Sequence, residues 1–317
     1  VKFDLDQDER ALQAGIRDLC RSDDAPDHPR ARSSPGGVSR ESWKRLGGAG
    51  VFSIRLPEPE GAALGLAQAA LVFEELGRAN VPGPLVASHL AAGLIEGAAT
   101  GETVVGLVER ITPPIVLEHA AALDALLVLD DDGLWTVDAK SLTLDPVPAP
   151  LDPLTPLHTV PAVPQGDLLA PADVSARWRA EGAVLTAALC VGLAVSATDA
   201  AVAYAKEREQ FGRPIGSFQA VKHLCADMLV RAEVARTAVH SAAVLLDDGA
   251  DAVRAVAGAK LLAGQAAFEN GKDCIQVHGG MGFTWEANVH LYVKRAAVLR
   301  THFLSDAVHT ETLARSL

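Results

Sequence analysis

Aromatic residues make up only 4% of this 317-residue chain, and basic residues are outnumbered, 28 Lys and Arg against 40 Asp and Glu. The resulting formal net charge of -12 excludes general affinity for nucleic acid or an anionic membrane surface. A local basic patch facing a phosphate-bearing ligand remains open. Cysteine is scarce too. Cys20, Cys190, Cys225 and Cys274 stand far apart, with no CxxC pair. That argues against a zinc site or a redox dithiol and reads as buried free thiols in a reducing cytoplasm. No Glu-x-x-His occurs at any histidine, so an inward-facing di-iron site is not expected, and no metal is assigned. The opening Val1-Lys2-Phe3-Asp4-Leu5-Asp6 lacks a basic stretch and an apolar run, so no signal peptide is evident. Valine at position 1 reads as an alternative start codon, which would make the chain a whole gene product.

What is present is a large apolar content. Hydrophobic residues are 49% and charged residues 21%, enough for a real core in two or three domains or one large one. The uncharged run Gly182 to Thr198 approaches membrane-spanning length. Its Ala and Gly content, Thr186, Ser196 and the following Asp199 instead predict a buried core helix.

Three compositional zones follow. Residues 1–100 read as short helices: Asp6 to Cys20, Ser39 to Leu46 with Ser39 as N-cap, Ala63 to Leu76, and Leu85 to Glu96 after the turn Pro82-Gly83-Pro84. Residues 101–171 read as a small, irregular β domain. Leu126 to Leu129 and Leu134 to Val137 flank Asp130-Asp131-Asp132-Gly133, a hairpin signal. Proline is dense from Pro146 to Pro164, which argues against helix and central strands there. Residues 172–317 read as long helices: Trp178 to Arg208, Phe218 to Leu246, Ala252 to Val277 and Val289 to Leu299. Short connections between such helices favour an antiparallel bundle.

Two segments carry chemistry. In Arg208-Glu209-Gln210-Phe211-Gly212-Arg213-Pro214-Ile215-Gly216-Ser217-Phe218-Gln219, two arginines offer bidentate bonds to phosphate oxygens. Ser217 is a candidate cap for the next helix, whose N-terminus favours anions. Gln276-Val277-His278-Gly279-Gly280-Met281-Gly282-Phe283 ends a helix at a glycine pair. Each alone is also consistent with an ordinary helix connection.

Taken together, with Ala203-Tyr204-Ala205-Lys206-Glu207 ahead of the first, the two segments resemble the acyl-CoA dehydrogenase family in order, spacing and helical setting. The opening Phe3 to Glu9 also looks like that family's start. The resemblance implies a mainly α fold: an N-terminal helical domain, a middle β domain, here reduced, and a C-terminal four-helix bundle. It implies FAD as cofactor and an acyl-CoA as substrate, dehydrogenated across Cα–Cβ. In the family, the bundle of one subunit reaches the ADP half of its neighbour's FAD. The matching positions are Arg208, Phe211 and Gln219 in the first segment and Gln276, Gly279 and Gly280 in the second. Arg208 would neutralise pyrophosphate charge, and the glycines would let the backbone approach the cofactor.

The sequence departs from the family twice. Where the family's catalytic glutamate stands, this chain reads Arg300-Thr301-His302-Phe303-Leu304-Ser305, with Phe303 near the expected place. Relatives that carry the base on the first bundle helix would place it at Gly182. Glu181, one residue away, is turned by roughly 100° on a helix. Glu181, His302 and Asp306 are therefore the candidate bases. The flavin-binding loop is also missing, replaced by Ile111-Thr112-Pro113-Pro114-Ile115 and the strand Leu134-Trp135-Thr136-Val137. Both departures resemble the short subunit of actinobacterial α2β2 acyl-CoA dehydrogenases, several of which act on steroid-derived CoA thioesters. A full-length companion subunit would supply the base and the isoalloxazine pocket. The alternatives are a self-sufficient homo-oligomer with Glu181 as base, and a non-catalytic scaffold.

Overall fold

The computed structural model describes residues 5–21, 37–109 and 114–316. Phe3 and Asp4 of the opening motif, and Ile111, Thr112 and Pro113, lie outside the described residues. The described chain is mainly helical, with a small β region between the helical stretches. It divides into two compact units. One gathers residues 5–21, 70–81 and 183–316, the other residues 37–69 and 82–182.

The first unit is a helical bundle. Helix α1 (Gln7–Arg21) starts with a reciprocal cap: the Glu9 N–H donates to Asp6 Oδ1 at 2.9 Å and the Asp6 N–H to Glu9 Oε2 at 3.0 Å. Long helices α5 (Ala172–Glu207, of which residues 183–207 belong to this unit), α6 (Gln219–Asp247) and α7 (Val253–His278) are followed by α8 (His290–Leu299) and α9 (Asp306–Arg315). Helix α7 is the hub, packing on α6, α8 and α9. Alanine dominates its buried face, at Ala257, Ala259, Ala263, Ala266 and Ala267. Small side chains let helix axes come close. Buried Asn270 ties three helices: its Nδ2 lies 3.2 Å from Ala194 O of α5 and 2.8 Å from Met228 O of α6. The apolar window of α5 is long enough to cross a membrane by length and composition, but most of it is buried inside the protein. That is the behaviour expected of a core helix.

The residues of helix α3 (Leu66–Arg78) that belong to this unit cross α5 at a glycine pair. A Cβ on Gly77 would sit 2.2 Å from Leu189 O, and one on Gly192 2.0 Å from Glu74 O. Beside the crossing, buried Glu74 takes Arg236 Nε at 3.0 Å and Nη2 at 2.9 Å.

The second unit holds helices α2 (Arg40–Gly48) and α4 (Leu85–Ala91) and two small sheets. Ser39 caps α2, accepting the Ser42 N–H at 3.3 Å. The larger sheet runs β1 (Val105–Glu109), β3 (Ala125–Asp130), β4 (Gly133–Asp138), β7 (Asp167–Pro171), with β1 and β3 parallel. The acidic turn forms the expected hairpin, with Asp130 opposite Gly133. The smaller sheet runs β2 (Ile115–Glu118), β6 (Leu157–Val160), β5 (Asp145–Pro146).

Three expectations need correction. The proline-dense stretch does hold a central strand, because β6 fits between Pro156 and Pro161 and keeps every backbone N–H. Pro146 sits only on the edge strand β5, as proline must. Helix α4 stops at Ala91 rather than Glu96; Gly93 and Gly97 weaken its continuation, and Gly97 turns to φ 78°. Helix α9 was missed because Asp306–Arg315 carries few apolar side chains and buries only His309.

Candidate functional site

Both motif segments lie in the bundle unit, at the C-terminal ends of α5 and α7. The Arg208 N–H donates to Tyr204 O at 2.8 Å, and the Ile215 N–H donates back to Arg208 O at 2.7 Å. Between them β8 (Glu209–Gln210) and β9 (Arg213–Pro214) make a minimal hairpin. Its tip residues Phe211 and Gly212 take φ 56° and 76°, as a two-residue turn of this hand requires. Gly216 holds the hairpin on α5, since a Cβ there would meet Ala205 O at 2.8 Å. On the other side, α7 ends at His278 and Gly279 turns away at φ 59°.

The two segments meet through their aromatic rings. Tyr204 and His278 stack with centroids 4.1 Å apart and planes 21° from parallel. Beneath them lie Ala201, Ala205, Cys274 and Val277. The His278 Nδ1 lies 2.8 Å from Cys274 O. Burial holds the His278 imidazole below its ordinary pKa, and that backbone hydrogen bond offsets part of the effect. Burial pushes the Cys274 thiol up to about 12, so it is no nucleophile.

Arg208, Phe211, Gln219, Gln276, Gly279 and Gly280 are all exposed. Arg208 and Arg213 make no ion pair among the described residues, although most other arginines of the bundle do. Arg213 lies 4.2 Å above the Phe218 ring, and Phe211 meets the same ring edge-on at 6.0 Å. The expected cap at Ser217 is not made. Residues 215–217 form their own tight turn, so Phe218 becomes the N-cap and α6 starts without a side-chain cap. Its first N–H groups are left for another acceptor. The glycines divide by role. Gly282 is needed for packing, because a Cβ would meet Ile275 O at 2.7 Å. Around Gly279 and Gly280 a Cβ would meet nothing within 4 Å. At Gly280, which has no left-handed backbone either, nothing inside this chain calls for glycine. Exposed cations, an uncapped helix start and a bare glycine backbone fit a dinucleotide phosphate.

The two candidate carboxylates, Glu181 and Asp306, have other occupations. Glu181 belongs to the second unit. Its carboxylate takes Arg55 Nη1 at 2.8 Å, Arg55 Nη2 at 3.0 Å and Arg177 Nε at 2.7 Å. Burial alone would raise its pKa, but the Arg55 hydrogen bond and charge, with Arg177, outweigh it and hold the carboxyl below its ordinary value. A carboxylate so engaged is a weak base. Asp306 is held by Arg300, with Nε at 2.7 Å. The segment 300–305 carries no carboxylate, and Phe303 is buried. Glu181→Gln leaves Arg55 with half its partner inside the unit. We expect it to cost about 3 kcal/mol of stability, read as a lowered urea midpoint. Unchanged stability would show that the clamp is dispensable.

Comparison with known proteins agrees with fold and motifs. Residues 179–317 match the model for the acyl-CoA dehydrogenase C-terminal domain, and residues 6–103 that for the N-terminal domain. The chain belongs to the acyl-CoA dehydrogenase family, whose cofactor is FAD. It is 33% identical over 311 residues to the acyl-CoA dehydrogenase IpdE2 of Mycolicibacterium smegmatis, covering 92% of this chain and 93% of that one. It is 37% identical over 281 residues to FadE34 of Mycobacterium tuberculosis, covering 81% of this chain but only 39% of FadE34. Among solved structures, the Tcur3481-Tcur3483 steroid ACAD, in a variant form, superposes with a TM-score of 0.84 at 24% identity, over 98% of this chain and 97% of that one. That likeness speaks for the fold. Sequence reasoning missed the Arg55–Glu181–Arg177 clamp, because residues 126 positions apart give no local signal. It also missed the Tyr204–His278 contact, although both residues stand inside the quoted motifs.

Proposed function

We propose that this chain is a subunit of an FAD-dependent acyl-CoA dehydrogenase that completes the flavin site of a full-length companion subunit in an α2β2 complex. One observation carries the reading. Arg208, Arg213 and the bare Gly279-Gly280 backbone sit on segments joined at the Tyr204–His278 stack, while Glu181 and Asp306 are both ion-paired. The chain offers groups for the ADP half of the cofactor and no unpaired carboxylate at the positions considered for a base. FAD, when bound, supplies the two-electron acceptor for oxidation of the acyl Cα–Cβ bond. Arg208 and Arg213 would balance pyrophosphate charge, Gly280 would admit close backbone approach, and Phe211 and Gln219 would help hold the nucleotide. The companion supplies the base and receives the acyl-CoA.

FadE34 supports a larger partner, since about three fifths of it lies beyond the match, more than the length of this chain. The steroid ACAD, whose name pairs two chains, supports a heteromer and a bulky, steroid-derived CoA thioester as substrate. Free thiols at Cys190, Cys225 and Cys274 support a cytoplasmic setting. The test is purification through a tag on this chain from its own cell. A yellow complex with about one FAD per pair of unlike subunits is expected. Arg208→Ala should lower FAD affinity about tenfold or more, as expected for losing a charge-assisted phosphate contact. A homo-oligomer carrying one FAD per chain and turning over acyl-CoA, or unchanged affinity in Arg208→Ala, would reject the proposal.

A further inference from the structure

We infer that Tyr204 and His278 are a positioning pair: their stacked rings set the spacing between the Arg208 hairpin and the Gly279-Gly280 turn, so that both reach one nucleotide. The inference rests on the function proposed above and adds residues that need not touch the cofactor. Each ring sits one short step from a binding element. The Tyr204 carbonyl holds the Arg208 N–H at 2.8 Å, and Arg208 O in turn holds the Ile215 N–H at 2.7 Å. Turning the last residues of α5 therefore turns the whole hairpin. On α7, His278 directly precedes Gly279, where the chain reverses at φ 59°.

The stack is oriented rather than loosely packed. The His278 Nδ1 lies 2.8 Å from Cys274 O, so the neutral ring places its N–H on that carbonyl and cannot rotate freely. Tyr204 then lies over it at 4.1 Å and 21°, a stacked contact closer than most aromatic pairs keep. The α5 residues buried beside the rings are all alanine, at Ala197, Ala201 and Ala205, with Cys274 and Val277 of α7 opposite. Small side chains allow helices to slide, whereas two flat rings in contact resist it. Both rings are half-buried, so the pair lies at the boundary between the core and the exposed site.

The experiment is a mutant cycle on FAD affinity. FAD is titrated into the tagged protein as it purifies from its own cell, with its companion, after removal of flavin, and binding is read from flavin fluorescence. Tyr204→Leu keeps apolar volume but removes the ring. It should weaken FAD about tenfold, while Tyr204→Phe binds as the natural protein does. Because the stack acts through Arg208, Tyr204→Leu added to Arg208→Ala should cause little further loss. A thermal midpoint measured on each variant separates positioning from unfolding. His278→Leu, which leaves α5 untouched, repeats the test should Tyr204→Leu fail to fold. Equal losses with and without Arg208, or no loss in either leucine variant, would overturn the inference. Unchanged affinity in Arg208→Ala alone would instead overturn the function on which it rests.

Discussion

Gly192→Ala is expected to destabilise the bundle unit by about 3 kcal/mol or more, at the upper end of overpacking, and to leave little folded protein. Its Cβ would lie 2.0 Å from Glu74 O and 2.4 Å from Arg78 N. Both are backbone atoms of α3, so no rotamer change relieves the clash. Gly77 is the reciprocal partner, with its Cβ 2.2 Å from Leu189 O. The two helices can accept the methyl group only by moving apart. That movement would also pull buried Glu74 from Arg236, an ion pair whose disruption leaves charge inside the protein. Gly258→Ala is the control. It lies within α7, where a Cβ meets nothing within 4 Å, and should gain up to about 1 kcal/mol from helix propensity. Urea denaturation of the two variants decides the matter. Equal stability for Gly192→Ala and the natural protein would mean that α3 and α5 do not cross at this distance.

Acid is expected to destabilise the second unit steeply below pH 6.5, with His89 as the largest single source. His89 is buried, with Nδ1 3.2 Å from Val51 O. Burial, with the nearby Arg55 charge, pushes its pKa down to about 4. The unfolded imidazole titrates near 6.5. Between these values the unfolded chain binds a proton that the folded chain refuses. Stability is therefore full above pH 6.5 and falls as pH drops toward 4, by about 3 kcal/mol over the whole window. His278 and His309, also held low by burial, act in the same direction in the bundle unit. Glu181 and Glu74, whose carboxyls are held low by arginine against the opposing effect of burial, lose their contribution at still lower pH. Urea midpoints measured from pH 7.5 to 4.5 should fall steeply in the natural protein and less steeply in His89→Gln. Parallel curves would remove His89 from the account.

Local signals were legible wherever the physics is local. The Ser39 cap, the Asp130–Gly133 hairpin and the long apolar helices follow from residues within a few positions of one another. Strand β6 was misread because proline density was averaged over a stretch whose four proline-free residues suffice for a central strand. Helix α9 was missed because a surface helix with one buried residue has almost no apolar period to detect.

The two motifs and their spacing, together with the lack of glutamate at 300–305, are properties of the sequence by itself, because they depend on which chemical groups the chain carries. Their order and spacing alone pointed to the family that the comparisons then showed. Which groups are already engaged was decided only by the tertiary structure. Arg55 reaches Glu181 across 126 positions, and Arg236 reaches Glu74 across 162. Arg208 and Arg213, with the same side chain, are left without an ion-pair partner among the described residues. A charge's availability depends on what packs within a few ångströms of it, and that distance is set by helix crossings such as Gly77 on Gly192 rather than by separation along the chain.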